Sequence, residues 1–237
     1  MKRLITAAGM LLLFFLPLLA GSDEQDQAEP VIEVPAEKEI LPETVEEPET
    51  LGDFRKINAR IGYVLKFEDD GRERIIPVVS TADFDSVFRR NIYGEEDSMG
   101  SVFCDEGPYE PANLVIYGHA SRTKDRCFSF LQKLADRSYY ESHPYFTLES
   151  ENGKSLCRIV SFGRYDLEDE STYLGWAEPA PGDVREMFSG TVPYLLEHTQ
   201  GITDAGNGIV TLVTCDLDMQ DGRYVVQAVR SDYESIP

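Results

Sequence analysis

The sequence contains no HExxH pair, no Walker-type glycine loop, no GxGxxG and no EF-hand loop. Zinc-peptidase, nucleotide-binding and calcium-loop chemistry therefore have no motif to rest on, and nothing in the chain calls for a cofactor. Basic residues are scarce. Lys and Arg total 22 against 43 Asp and Glu, a formal net charge of -21. Such a surface repels phosphate backbones and excludes nucleic acid as the expected partner. Histidine occurs three times and tryptophan once, as Trp176. Cysteine occurs four times, at Cys104, Cys127, Cys157 and Cys215, with no CxxC pair. An exported chain with four cysteines admits two disulfides in three connectivities. The irregular spacing, and a nucleophilic role for one cysteine, favour free thiols instead.

What is present begins with Lys2 and Arg3, followed by a mostly apolar run from Leu4 to Ala20 interrupted by Pro17. Its length suits a membrane anchor at the lower limit, or a long signal segment with Ala20 and Ser22 at small-residue cleavage positions. The positive flank puts the amino terminus inside and the rest outside, so residues 1–22 predict export with retention at the membrane. Residues 23–50 carry eleven acids against Lys38 alone, with Pro30, Pro35, Pro42 and Pro48 among them. This composition predicts an extended, self-repelling stalk. Its Leu41-Pro42-Glu43-Thr44 looks like the start of a cell-wall sorting signal, but Val45 replaces the needed glycine and no apolar tail follows, so we read it as coincidence of composition.

A folded domain is expected over 51–237. Ala59–Phe67 and Arg74–Val79 read as strands around Asp69-Asp70-Gly71, and Tyr145–Glu149 and Ser155–Phe162 flank Asn152-Gly153, both hairpin signals. Ser101–Cys104 and Asn113–Tyr117 read as further strands, and Asp83–Arg90 as a short amphipathic helix. A longer helix is expected over Lys124–Tyr140, burying Cys127, Leu131 and Leu134. Asp166–Gly206, with a helix expected over 182–198, is a long excursion of the kind that forms lids or substrate walls. Many short strands with few helices predict a mainly β domain, a barrel or a sandwich.

The chemistry-bearing residues gather at strand ends. Gly208–Cys215 and Arg223–Val229 read as an antiparallel pair around a polar turn ending in Asp221-Gly222, which sets Cys215 and Arg223 at one mouth. Asn113–Tyr117 leads through Gly118 to His119. A thiol helped by positive charge is a nucleophile, and an imidazole serves as acid and base. A buried inert cysteine and a capping histidine are the structural alternatives. His143 and His198 read as structural. Arg230, seven residues from Arg223, must face the other side of the sheet, and a solvated role is expected for it.

Thr211-Leu212-Val213-Thr214-Cys215 resembles the TLxTC signature of sortases, with Tyr117-Gly118-His119 and Arg223 in the family's order. The similarity extends over most of Ile57–Val229 and looks like class B. Pro77-Val78-Val79 and Gly100-Ser101-Val102-Phe103 resemble that class's segments, as does a long insert between the sixth and seventh strands. The resemblance implies an eight-stranded sortase barrel and a cysteine transpeptidase with His119, Cys215 and Arg223 as catalytic residues. Its partners would be a secreted protein bearing a sorting signal and an amine of peptidoglycan or its precursor. Val213 replaces the usual serine, and Asp216-Leu217-Asp218 is more acidic than usual. Val213, Thr214 and Asp216 would border the substrate groove. A pilin-polymerising enzyme, a hydrolytic cysteine peptidase and a non-catalytic exported binding module are the alternatives.

Overall fold

A computed structural model of the chain describes residues 47–106, 113–166 and 208–232. The expected anchor, most of the stalk and the helix expected over 182–198 lie outside the described residues. Among those described, no helix is long and apolar enough to cross a membrane.

Eight strands close into a barrel: β1 (Ile61–Asp69), β2 (Arg72–Ser80), β3 (Val102–Cys104), β4 (Asn113–Tyr117), β5 (Tyr145–Ser150), β6 (Gly153–Asp166), β7 (Ile209–Cys215) and β8 (Gly222–Asp232). The order around the barrel is β1-β2-β3-β4-β7-β8-β6-β5. Pairing is antiparallel except at β2–β3 and β4–β7, which are parallel. Two tight hairpins follow from backbones that reach positive φ: Asp70 at 53° and Gly71 at 83° turn β1 into β2, and Gly153 at 121° opens β6.

Alternation sorts each strand into an inner and an outer face. Leu65, Phe67, Leu114, Ile116, Leu148, Val210, Leu212, Tyr224, Val226 and Ala228 fill the barrel interior. Strand β6 contributes both Ile159 and Phe162 to that interior, because a bulge between Ile159 and Ser161 shifts its alternation by one. Arg230 lies on the inner side of β8 and is 4% exposed, so the solvated role expected for it is corrected. Arg223 and Arg230 do face opposite sides, but the inner one is the buried one.

Short helices decorate the barrel. Helix α1 (Leu51–Ile57) begins at Thr50, whose hydroxyl accepts the Asp53 N–H at 3.2 Å, and buries Leu51 and Phe54 against Ile61, Val64 and Val79. Helix α2 is one turn, Asp85–Phe88. The long helix expected over Lys124–Tyr140 is replaced by a 3-10 segment, Ser129–Ala135, and a separate α3, Arg137–Ser142. The break has a local cause. Asp136 is extended (φ −87°, ψ 122°) and its carboxylate accepts from the N–H groups of Ser138 and Tyr139, a cap that starts a new helix. Upstream, Cys127 adopts φ 50°, which no helix tolerates.

An ion cluster ties the first hairpin to the segment after β4. Asp69, buried, accepts from Lys133 Nζ at 2.8 Å, from Tyr139 Oη at 2.7 Å and from Arg74. Arg74 reaches on to both oxygens of Asp125 at 2.8 and 2.9 Å and lies 4.7 Å from the centre of the Phe130 ring. Burial would raise the Asp69 carboxyl, but the hydrogen bonds from Lys133, Tyr139 and Arg74 outweigh it and hold it at about 2. A carboxyl held below its unfolded value stabilises the fold above the unfolded pKa and loses that contribution on acidification. We predict that Asp69→Asn costs about 2 kcal/mol at pH 7 and that the difference from wild type shrinks from pH 4 to pH 2. Urea melts across that range check it; a difference independent of pH would contradict the account.

Candidate active site

The site is built by register. In the parallel β4–β7 pair, Tyr117 stands opposite Val213, and Gly118 N–H donates to the Val213 carbonyl at 3.1 Å. Two residues further along each chain come His119 and Cys215. In the antiparallel β7–β8 pair, Cys215 stands directly opposite Arg223. Val213, Val225, Val115, Tyr117 and Tyr165 cluster on the outer face of these strands. Cys215 and Arg223 have the same parity as Val213 and Val225, so they share that outer face. The His119 ring is on the same side, 5.7 Å from Phe88, which in turn contacts Phe103 and through it Tyr117.

Each of the three side chains is held separately. His119 Nε2 faces the Phe88 carbonyl at 3.2 Å, an acceptor that suits a protonated nitrogen. Arg223 Nη1 donates to the Gly222 carbonyl at 2.8 Å. Cys215 is half-buried. Among the described residues no hydrogen bond joins the thiol to either partner. The register sets Cys215 opposite Arg223 and runs the chain from β4 toward His119 beside the end of β7.

The segment following β4 is fixed by close packing. A Cβ on Gly118 would sit 2.7 Å from the Phe128 ring, so the chain passes this point only as glycine. Phe128 N–H donates to the His119 carbonyl at 3.0 Å, closing the loop that carries the imidazole.

The neighbours expected at the groove occupy more interior positions. Thr214 faces the inside, and its hydroxyl donates to the Gly118 carbonyl at 2.7 Å. It joins the end of β7 to the approach to His119. Val213 is buried in the outer apolar cluster. Asp216 is buried, its carboxylate accepting from Arg164 Nε at 2.5 Å and from the Asp218 N–H at 2.9 Å. Arg164 also lies 5.5 Å from the centre of the Tyr224 ring. Pairing with Asp216 raises the Arg164 guanidinium further. Arg164 has no motif signal, since its partner is remote in sequence, and only the β6–β8 pairing brings it close.

All four cysteines are free. Burial pushes the thiols of Cys104 and Cys127 up to about 11 and that of Cys157 up to about 12. Cys104 and Cys157 are buried, whereas Cys127 is half-buried like Cys215. Cys215 stands apart from them, at a strand end beside two cation-forming groups. His143, read as structural, stacks on Tyr139 with centroids 4.3 Å apart and meets Glu68 at 2.7 Å. His198 lies outside the described residues.

A closed eight-stranded barrel with parallel β2–β3 and β4–β7 pairs, carrying cysteine, histidine and arginine at adjacent strand ends, is the sortase fold. No family model and no curated protein sequence matches the chain. Among solved structures the chain is similar to class B sortases. A Clostridium perfringens sortase B superposes with a TM-score of 0.58 at 23% identity, over 76% of this chain and 99% of that one. A Staphylococcus aureus sortase B–substrate complex gives 0.57 at 19% identity, over 78% and 87%. A Streptococcus pyogenes class B sortase involved in pilus biogenesis gives 0.55 at 20% identity, over 76% and 97%.

The burial contrast among the thiols makes a prediction. Iodoacetamide at pH 8 labels half-buried Cys215 about tenfold faster or more than the buried Cys104 and Cys157, as ordered by access. Peptide mapping by mass spectrometry reads it. Equal labelling of Cys157 would show that burial does not separate them.

Proposed function

We propose that the protein is a class B-like sortase, a cysteine transpeptidase that cleaves a sorting signal and passes the acyl fragment to an amine. The observation that carries this reading is the register that sets Cys215 directly opposite Arg223 and pairs β7 with the strand that leads into His119. The likeness to class B sortases supports it.

The Cys215 thiolate attacks the carbonyl carbon of the scissile peptide bond. A tetrahedral intermediate forms, and its oxyanion and neighbouring substrate carbonyls accept hydrogen bonds from the Arg223 guanidinium. His119, as imidazolium, gives its proton to the leaving amine as the C–N bond breaks, leaving a thioester on Cys215. The incoming amine then attacks that thioester, His119 takes its proton, and the thiolate departs. A proton lost in the first half is recovered in the second, so the cycle returns the imidazolium and thiolate to their starting forms.

The acceptor in this reading is an amine of peptidoglycan or its precursor, and the donor a secreted protein with a carboxy-terminal sorting signal. The apolar run Leu4–Ala20 would hold the enzyme at the outer membrane face, with the acidic stalk spacing it from the bilayer. A net charge of -21 favours approach of a cationic amine.

The test is cleavage of a peptide library by the purified protein, with and without added amines. Amine-joined product that disappears in Cys215→Ala supports the transpeptidase. Cleavage unaffected by amines makes the protein a hydrolytic peptidase, and no cleavage with no labelling of Cys215 makes it a binding module. Arg223→Lys is predicted to lower kcat/KM by about a hundredfold, because an ammonium cannot replace the planar donor pair. Near-normal turnover by that variant would remove Arg223 from the mechanism.

A further inference from the structure

His119 lies beyond the end of β4, and Cys215 is the last residue of β7. The β4–β7 ladder therefore does not extend past the residues whose spacing matters. Two contacts bridge the chains at this point, from Gly118 N–H to the Val213 carbonyl and from the Thr214 hydroxyl to the Gly118 carbonyl. A third bridge lies further out. Arg122, three residues after His119, reaches across to Asp218, three residues after Cys215.

We propose that Arg122 is a positioning residue that clasps the histidine loop to the cysteine turn and so sets the distance between imidazole and thiol. The proposal rests on the transpeptidase reading above. Arg122 donates to Asp218 Oδ1 through Nη1 at 3.1 Å and Nη2 at 2.7 Å, and Nη2 also donates to the Leu217 carbonyl. Both acceptors belong to the turn between Cys215 and Arg223.

Each end of the clasp is anchored to a reacting group. On the turn, Asp218 N–H is bound by Asp216, whose carboxylate is fixed by Arg164, and Asp216 N–H donates to the Gly222 carbonyl at 2.9 Å. A pull on Asp218 is thus transmitted to the residue next to Cys215. On the loop, Ser121 N–H donates to Ser129 Oγ at 2.9 Å, and Ser121 Oγ accepts from the N–H groups of Thr123 and Lys124 at 3.2 Å. Arg122 is therefore held by its own neighbours, three residues from the backbone that carries the imidazole.

The pair is solvated: Arg122 is 58% and Asp218 64% exposed. Removing either strands no buried charge and should hardly change stability. Its effect falls on geometry, where small displacements of reacting groups change rates. The fork also matters, because one guanidinium serves a carboxylate and a carbonyl together, which an ammonium does less well.

The test is a double-mutant cycle in the full-length protein, with Arg122→Ala, Asp218→Ala, the double variant and Arg122→Lys. Amine-dependent peptide cleavage and iodoacetamide alkylation of Cys215 are both measured. Each single alanine variant is expected to lower kcat about fivefold with KM and Tm little changed. The double variant should fall no further than either single one, and Arg122→Lys should lie between Arg122→Ala and wild type. Alkylation of Cys215 should slow in the same pattern, since it depends on the nearness of the imidazole, with His119→Gln as the reference for its loss. Additive losses in the double variant, or an unchanged kcat in the singles, would overturn the clasp. If wild type shows no amine-dependent turnover, the transpeptidase reading fails. The alkylation cycle still decides the clasp in that case, with equal rates in wild type and Arg122→Ala counting against it.

Discussion

Everything at the site depends on one constraint, the register in which β7 is held between β4 and β8. Side chains alternate along a strand, so a slip of one residue would turn Cys215 from the outer face to the interior and bring Thr214 out in its place. The register is strongly specified. Val210 and Leu212 belong to the barrel core, while Val213 belongs to the outer apolar cluster. A slip would put Thr211 and Val213 in place of Val210 and Leu212 and carry the buried Thr211 hydroxyl away from Asn113 Oδ1, which it meets at 2.7 Å, stranding a polar group at a cost of about 1–3 kcal/mol. The Thr214 hydroxyl adds direction, because only in this register does it meet the Gly118 carbonyl. The burial that stabilises the barrel is thus the same burial that aims the thiol outward.

Around that rigid floor, polar contacts hold the connecting segments. The Asp69–Arg74–Asp125 cluster fixes one side of the segment after β4, and Arg126 adds a bond to Asp97 at 2.6 Å. On the other side, Asp216 and Arg164 fix the turn between Cys215 and Arg223. A buried charge is tolerated only when paired and hydrogen-bonded, so each cluster specifies one arrangement of its segment. The strands give His119, Cys215 and Arg223 their order, and these clusters give the loops beyond the strands their positions.

Much of this was legible in the sequence, for reasons that can be named. Asp70-Gly71, Asn152-Gly153 and Asp221-Gly222 marked three turns, because those residues reach positive φ cheaply. Once the turns were placed, pairing Cys215 with Arg223 followed from counting. Helix α1 was not foreseen, although Thr50 and Asp53 carry a capping pattern that would have found it. The long helix expected after His119 failed because apolar spacing at i, i+4 and i+7 fits a 3-10 segment followed by a helix as well as one continuous helix. Asp136 was the signal that separated them. The burial of Arg230 was not legible: parity gave its face, but only the closed barrel decided which face was inside. Arg164 and Arg122 were invisible for a different reason. Their partners, Asp216 and Asp218, lie 52 and 96 residues away along the chain, and no local pattern encodes such a meeting.

The account reduces to a thiol made reactive by its place in a barrel. The most direct measurement is the intact mass of the protein, acid-quenched during turnover of a cleavable peptide without added amine. The account predicts a transient adduct with the mass of the amino-terminal peptide fragment less one water, mapped to Cys215 and absent from Cys215→Ala. Turnover without any such adduct, or an adduct mapped to a different residue, would contradict it.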